Sequence, residues 1–569
     1  VQKVLRQDVF DEGLKVALVH AEVYWGEKEK NLDKLLELNM KAAGAGARII
    51  LNTEMATTGY SFASRNDIAS LTETIPGPTT RAFGKISKKY GCYICIGLPE
   101  VNLKTGVIYN AAALIGPAGR VLGKCRKLAP AYLENLWAAR GNLPVLVAQT
   151  EFGKLGVVIC ADAYSYKPVR MAALQGARLL LIPANWPPEH YNPEKYWRAR
   201  AAENGMYLLA CNRTGIDQTM DCQAAESFII DNFGVSVKQV SSPDDTIIYG
   251  TLPLAGGSFI SADADSILGR RRPQHYGDIS LDTYSQLNPV MLLNLPEPAE
   301  FVVATLQFRP FPLEPAVNIE KMLSLIDTAT DMAAAEGLML NLVVLPELCA
   351  TGIILKRQEA ENFSEEIPGP STDMFARKAA DKNISIVLGV AERQNGKLYN
   401  SCVLISPNGV QGKYRKVHLA PHEEKWAEAG DSFPAFDLPF GRVGLLAGYD
   451  LMFPESAESL AKRGADLLCV PALWGDRRSK FIWEARLGEQ THLAVANQWG
   501  DAGGLYAIGG SVIYGYSRCP EKMLRLESPA EGDKINILRL NSKDTREKKF
   551  VENIDYDTLL SKNNLGIKV

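Results

Sequence analysis

Apolar positions run along this chain in two rhythms. Short continuous runs such as LKVALVHAE at 14–22 and FVVATLQFR at 301–309 read as buried strands. Each is followed by a stretch with apolar spacing of three and four, NLDKLLELNMKAAGAGA at 31–47 and NIEKMLSLIDTATDMAAA at 318–335, which predicts an amphipathic helix. Strand-like runs then recur with helical segments between several of them. That alternation predicts an α/β fold in which helices cover a buried sheet.

The pattern is written twice. IPGPTT at 75–80 returns as IPGPST at 367–372, GKCRK at 123–127 as GKYRK at 412–416, and GARLLLIPANW at 176–186 as GADLLCVPALW at 464–474. Fainter pairs join them: RIILNTEMATTGY with LVVLPELCATGI, IYNAAALIGPAGR with LYNSCVLISPNGV, and ARAAEN with ARLGEQ. A period this long signals duplicated domains, not a solenoid of short units. Prolines punctuate SQLNPVMLLNLPEPA at 285–299, which predicts a connector there, a first domain over 1–284 and a second over 300–569.

Length agrees, because 569 residues is too much for one core and, at about 150 residues per domain, gives two to four domains or two large ones. With 46% hydrophobic and 22% charged residues, the composition is that of a globular protein. The net charge of -3 gives no reason to expect nucleic acid or an anionic membrane as partner. No apolar stretch reaches the roughly 18 residues of a membrane span, and the polar opening VQKVLRQDVFDEG lacks the apolar core of a secretory signal. Ten cysteines, most inside apolar runs as Cys402 and Cys469 are, read as reduced core residues of a cytoplasmic protein. Cys92 and Cys95 make a C-x-x-C, but no second pair follows for zinc and the run YICIG is no helix start for a redox pair. Neither a metal nor a cofactor is expected.

One repeated strand end differs in a residue that changes its chemistry. GVVICADAYSYK at 156–167 and GLLAGYDLMFPE at 444–455 match Gly156 to Gly444 and Asp162 to Asp450, but set Cys160 against Gly448. In the first half Glu54, Lys127 and Cys160 each end or follow an apolar strand. Singly they have ordinary explanations: a solvated loop acid, a surface cation, a buried filler. Together they supply a base, a cation facing developing negative charge and a soft nucleophile, the set that acyl transfer from an amide or nitrile needs. Strand C-termini in α/β folds also converge on one crevice.

The order Glu, Lys, Cys with these flanks resembles the nitrilase superfamily of carbon-nitrogen hydrolases. The resemblance covers nearly all of both halves and is carried by NTEMATTGY, IPGPTT, YNAAALIGPAGRVLGKCRK, GVVICADAY, IPANW and RARAAEN. It implies two tandem αββα sandwiches. Because subunits of that superfamily usually pair, it also implies a pseudo-dimer within one chain, with a pseudo-two-fold axis relating Cys160 to Gly448 and further homo-oligomeric assembly left open. By resemblance Cys160 is the nucleophile, Glu54 the general base and acid, Lys127 the electrostatic stabiliser, and Glu134 the second glutamate that fixes the set. The lysine is expected to favour the thiolate, and the backbone N–H of Ala161 to join it in holding the oxyanion. In the second half Glu347, Lys416 and Glu424, or its neighbour Glu423, fill the matching places around Gly448, where no thioester can form. That half is expected to carry a degenerate site.

Tyr60, Trp137, Tyr164 and Trp186 suggest a partly aromatic substrate pocket. Family nitrilases typically place Trp-Glu after the nucleophile, whereas Ala161-Asp162 leans toward amides or N-carbamoyl compounds. The arginine that carbamoyl amino acid hydrolases usually add is absent from Ala163-Tyr164. The expected partner is a small-molecule amide, carbamoyl or nitrile substrate. Three readings stand: an amidase-type hydrolase, a nitrilase, and a pseudoenzyme used as a binding or assembly module.

Overall fold

The computed structural model describes residues 13–188, 192–259, 267–285, 289–476, 478–519, 522–551 and 554–561. The first apolar run folds as the strand Gly13–His20, antiparallel to Thr246–Ala255 on one side and parallel to Ile49–Asn52 on the other. From there a seven-stranded sheet continues through Tyr93–Asn102, Val107–Ile115 and Val121–Arg126, with Ser258–Phe259 at its far edge. A second sheet of six strands runs Ser236–Val240, Ser227–Ile230, Tyr207–Cys211, Ala177–Pro183, Gly153–Val157, Leu146–Thr150. The two sheets face each other, Gly13–His20 against Tyr207–Cys211 and Ile49–Asn52 against Ala177–Pro183. Strands buried on both faces explain why the sequence shows continuous apolar runs instead of alternation.

Helices Lys28–Gly44 and Pro78–Tyr90 cover the outer face of the first sheet, and Tyr166–Leu174 and Glu194–Asn204 that of the second. This is an αββα sandwich. The first helix begins three residues before the predicted stretch, because the charged turn at Lys28–Lys30 already winds helically, and it ends where Gly46 turns the chain with φ of 90°. Gly156 lets its helix approach closely: an added Cβ would stand 3.0 Å from the Cβ of Ala172.

The second repeat builds the same sandwich. One sheet runs Gly409–Arg415, Lys397–Ser406, Ser385–Gln394, Leu342–Val344, Glu300–Gln307, Lys534–Asn541, and the other Ala435–Leu438, Gly441–Leu445, Leu467–Ala472, His492–Asn497, Val512–Gly515, Leu524–Glu527. Helices Pro315–Ala335 and Pro370–Lys382 cover the first sheet, and Leu460 of the helix Pro454–Lys462 packs on Gly444 of the second. Among the described residues no helix is long and apolar enough to cross a membrane.

The chain does not divide at the expected connector. Two compact units emerge, one holding the described residues up to Gly269 together with those from Val551 onward, the other Arg270–Phe550. Residues 270–285, assigned from sequence to the first domain, pack in the second unit instead. There Arg271 pairs with Glu455 at 2.9 Å, the hydroxyl of Tyr276 meets His418 Nε2 at 2.5 Å, and Arg463 pairs with Asp278 at 2.6 Å. Conversely, the helix Tyr556–Leu560 packs on Tyr166–Leu174 of the first unit, with Lys167 Nζ 3.4 Å from the Tyr556 hydroxyl. Prolines mark where the backbone bends, whereas unit membership follows buried partners that lie far along the sequence.

Candidate active site

Three strand ends and one strand interior of the first unit deliver polar side chains into a buried centre. Glu54 lies just beyond Ile49–Asn52, Asn110 on Val107–Ile115, Lys127 just beyond Val121–Arg126, and Cys160 at the turn Cys160–Ala163 that follows Gly153–Val157. Glu134 enters from the short turn Tyr132–Leu136. Lys127 Nζ bridges Glu54 Oε1 and Glu134 Oε2, each at 2.7 Å, and Asn110 Nδ2 donates to Glu54 Oε1 at 2.7 Å and to Glu134 Oε1 at 2.9 Å. Glu54 and Glu134 are fully buried and Lys127 is 1% exposed. A buried ion cluster of this kind persists only because each charge has partners.

The loop carrying Glu54 is seated on a glycine. A Cβ at Gly97 would stand 2.7 Å from the Cα of Glu54, and Gly97 exchanges backbone hydrogen bonds with Thr53 and Ala56. Met55 beside it has φ of 50°. Cys160 also has positive φ, 45°, a strained value for a residue with a Cβ. Asp162 fastens this turn to the lysine loop, its Oδ1 accepting the N–H groups of Leu128 at 2.9 Å and Ala129 at 2.8 Å.

Burial sets the resting protonation. It pushes the Cys160 thiol well up, the Glu54 charge adds to that, and Lys127 opposes only in part. The expected stabilisation of a thiolate by the lysine is therefore outweighed, chiefly by burial and then by the Glu54 charge. Burial likewise holds Glu54 above the ordinary glutamate range against the pull of Lys127. Glu54 Oε2 has no hydrogen-bond partner. The result is a neutral thiol beside a carboxylate with one oxygen to spare, an arrangement able to pass a proton from sulfur to oxygen.

The remaining expected residues separate into two groups. Tyr60 and Trp137 lie in a buried cluster with Phe62, and the Tyr60 hydroxyl reaches Glu134 Oε2 at 2.7 Å, so this pair backs the glutamate. Tyr164, stacked on Tyr196 at 4.7 Å, and Trp186, edge-on to Trp197 at 5.8 Å, are half-buried, as is Ala161. Asn110 and Gly97 were not picked out from the sequence. The asparagine had a signal, since it recurs as Asn400 inside an otherwise apolar repeated strand.

In the second unit Lys416 Nζ meets Glu347 Oε1 at 2.6 Å and Glu423 Oε1 at 2.9 Å, and Asn400 Nδ2 donates to the same two oxygens at 2.7 and 2.6 Å. Glu424 is not part of this cluster: it points outward and pairs with Arg270. Of the two adjacent glutamates, Glu423 begins the turn Glu423–Lys425 and so faces inward. Gly448 opens the matching turn Gly448–Met452. It lacks the positive φ of Cys160, and Glu347 Oε2 has moved into the space, where it accepts the N–H of Leu473 at 2.9 Å. A Cβ on residue 448 would stand 2.6 Å from that oxygen. Asp450 still clamps its turn, to the backbone of His418 at 3.0 Å. Asp162 and Asp450 thus do scaffold work in both units.

Comparison with known proteins matches the chain to a single family model, carbon-nitrogen hydrolase, twice, at residues 15–258 and 302–517. A protein named nitrilase from Pyrococcus abyssi is 39% identical over 215 residues, 37% of this chain and 80% of its own length. The omega-amidase NIT2 of Homo sapiens is 37% identical over 147 residues, covering 24% of this chain and 52% of its own. Among solved structures, Nit3 of Saccharomyces cerevisiae, a nitrilase superfamily member, matches with 22% identity and a TM-score of 0.39 over 43% of this chain and 91% of that one.

Proposed function

The chain belongs to the carbon-nitrogen hydrolase family over both of its repeats, and from that premise we propose that its first unit cleaves a non-peptide amide or N-carbamoyl bond through a thioester on Cys160. The observation that carries this reading is the unpartnered Glu54 Oε2 beside a protonated Cys160, with Glu54 Oε1 fixed by Lys127 and Asn110. The thiol attacks the carbonyl carbon while Glu54 takes its proton. Negative charge grows on the carbonyl oxygen, where Lys127 Nζ and the N–H of Ala161 meet it. Glu54 then hands the proton to the nitrogen, the C–N bond breaks, and ammonia or an amine leaves. Water, deprotonated by Glu54, attacks the thioester; the acid departs and the sulfur recovers its proton. Glu134, Asn110 and Tyr60 position the set.

Likeness to a protein named nitrilase favours a second substrate, a nitrile giving the same acid. Ammonia release by the full chain from butanamide and butanenitrile separates the two. Amide turnover is expected, with Cys160→Ala lowering it by more than about a thousandfold and Glu54→Gln nearly as much, both proteins keeping their fold by circular dichroism. Nitrile turnover without amide turnover would replace the substrate, and full activity in Cys160→Ala would remove the nucleophile.

A further inference from the structure

The chain contains its own control. The second unit keeps the glutamates, the lysine and the asparagine of the cluster but has no nucleophile, so residues that vanish along with Cys160 are tied to the reacting molecule instead of to the scaffold. Two such residues stand out. Asn185 follows the strand Ala177–Pro183 as Leu473 follows Leu467–Ala472, and the tryptophan after each has its N–H accepted by an asparagine, Asn212 at 2.9 Å or Asn497 at 2.8 Å. The residue after that asparagine is Arg213 in the first unit and Gln498 in the second. Asparagine has become leucine, and arginine glutamine.

Asn185 lies at the sulfur. Its backbone oxygen is 3.9 Å from Cys160 Sγ. Its side-chain Oδ1 accepts from Arg213 Nε at 2.9 Å and from Cys222 Sγ at 3.4 Å. Since a guanidinium only donates, the amide cannot be turned the other way, and its nitrogen is fixed opposite. That Nδ2 has no hydrogen-bond partner, although the residue is 2% exposed. Arg213 is in turn braced by the carbonyls of Thr214 and Gly215, each at 3.1 Å, and lies 3.7 Å from Asp217, whose Oδ2 accepts the N–H of Tyr60 at 2.8 Å. A desolvated donor held this firmly has a partner missing.

We propose that Asn185, oriented by Arg213, is a substrate-recognition residue: its amide N–H groups bind an acceptor oxygen of the substrate that lies beyond the scissile bond. This rests on the thioester reading above. There the scissile oxygen is met by Lys127 and Ala161, and the leaving nitrogen is a donor that an amide N–H cannot serve. A plain aliphatic amide leaves Nδ2 empty; an amide with a second carbonyl oxygen fills it. Leu473 removes the donor in the unit that has nothing to recognise. Arg213 acts through Asn185 and is a positioning residue.

The test uses the full chain and matched amides that differ by one ketone oxygen, butanamide with 3-oxobutanamide and pentanamide with 4-oxopentanamide. Each is measured twice: as kcat/KM, and as protection of Cys160 from iodoacetamide, which needs no turnover. The wild type is expected to favour an oxo member by about 10- to 100-fold, and Asn185→Leu to erase that preference while the plain amide changes by less than about threefold. Arg213→Gln should weaken the preference in the same direction. Asn185→Asp, equal in size and still able to accept from Arg213, should lose the preference too and covers the event that the leucine variant does not fold. Absence of any preference in the wild type, in rate or in protection, overturns the inference, as does an equal fall for both members in Asn185→Leu. Protection without hydrolysis would instead retain this residue's role and refute the reaction.

Discussion

At the scale of single residues, the first unit is organised around charge that is nearly but not fully balanced. One ammonium, Lys127, serves two carboxylates, Glu54 and Glu134, at equal distances, and burial, with the Glu54 charge adding to it, keeps Cys160 a thiol at rest. In the proposed reaction Glu54, as the base, controls the pH response. Below the pKa of Glu54 the carboxylate is protonated and cannot accept from the sulfur, so activity falls as pH falls; burial places that pKa above the ordinary glutamate range. The acid limb of kcat/KM is expected above the ordinary glutamate value, with a plateau on its alkaline side. A limb below that value would take the base role from Glu54. In the second unit the corresponding Glu347 is pushed up to about 7 by burial, yet its free oxygen is spent on Leu473. The same four side chains, two glutamates, a lysine and an asparagine, thus leave a glutamate oxygen unpartnered in the unit with Cys160 and engage it in the unit with Gly448.

At the scale of elements, the candidate site depends on how a loop rests on a strand. Gly97 and Gly389 take the same place in the two units, each with an added Cβ within 2.7 Å of the Cα of the neighbouring glutamate. The atom in the way is backbone, which cannot swing aside. Gly97→Ala should destabilise the first unit by about 1–3 kcal/mol and lower kcat by shifting Glu54. Gly91→Ala, at a helix end with φ of 64° and nothing within 4 Å, should cost only about 1 kcal/mol and leave kcat unchanged. Thermal unfolding with kcat on both variants checks the contrast, and equal loss of activity would deny the seating. Elements are also where reading the sequence worked best. Strand runs, helix spacing and the repeat follow from local apolar pattern, so Glu54, Lys127 and Cys160 could be picked as strand-end residues. What eluded it depends on contacts between distant segments: the glycine whose worth is the absence of a side chain, the choice of Glu423 over Glu424 by where a single turn starts, and the pair Asn185 and Arg213, unremarkable until an orphaned amide is seen beside sulfur.

At the scale of the whole molecule, each unit is completed by a segment from beyond its own repeat. Leu559 is fully buried in the first unit, and in the second Tyr276 is fully and Arg271 nearly buried. Ending the chain at Phe550 strips the first unit of the helix Tyr556–Leu560. With Leu559 worth about 2 kcal/mol of burial, its unfolding midpoint should drop by roughly 4–8 °C while that of the second unit stays. Calorimetry, with loss of amide turnover marking the first transition, checks this; an unchanged first transition would show that the helix contributes nothing.

Translation turns that arrangement into an order of events. The ribosome releases Glu54, Asn110, Lys127, Glu134 and Cys160 with the first repeat, but the helix Tyr556–Leu560 packed on Tyr166–Leu174, directly after the Cys160 turn, emerges only once the second repeat has been made. Nascent domains generally fold as they leave the tunnel; here the unit that bears Cys160 stays unfinished until the repeat that bears Gly448 has been made. A message cut short anywhere in the second repeat would yield Glu54, Lys127 and Cys160 without the helix that finishes their unit, so completion of the first unit certifies that the second repeat was translated.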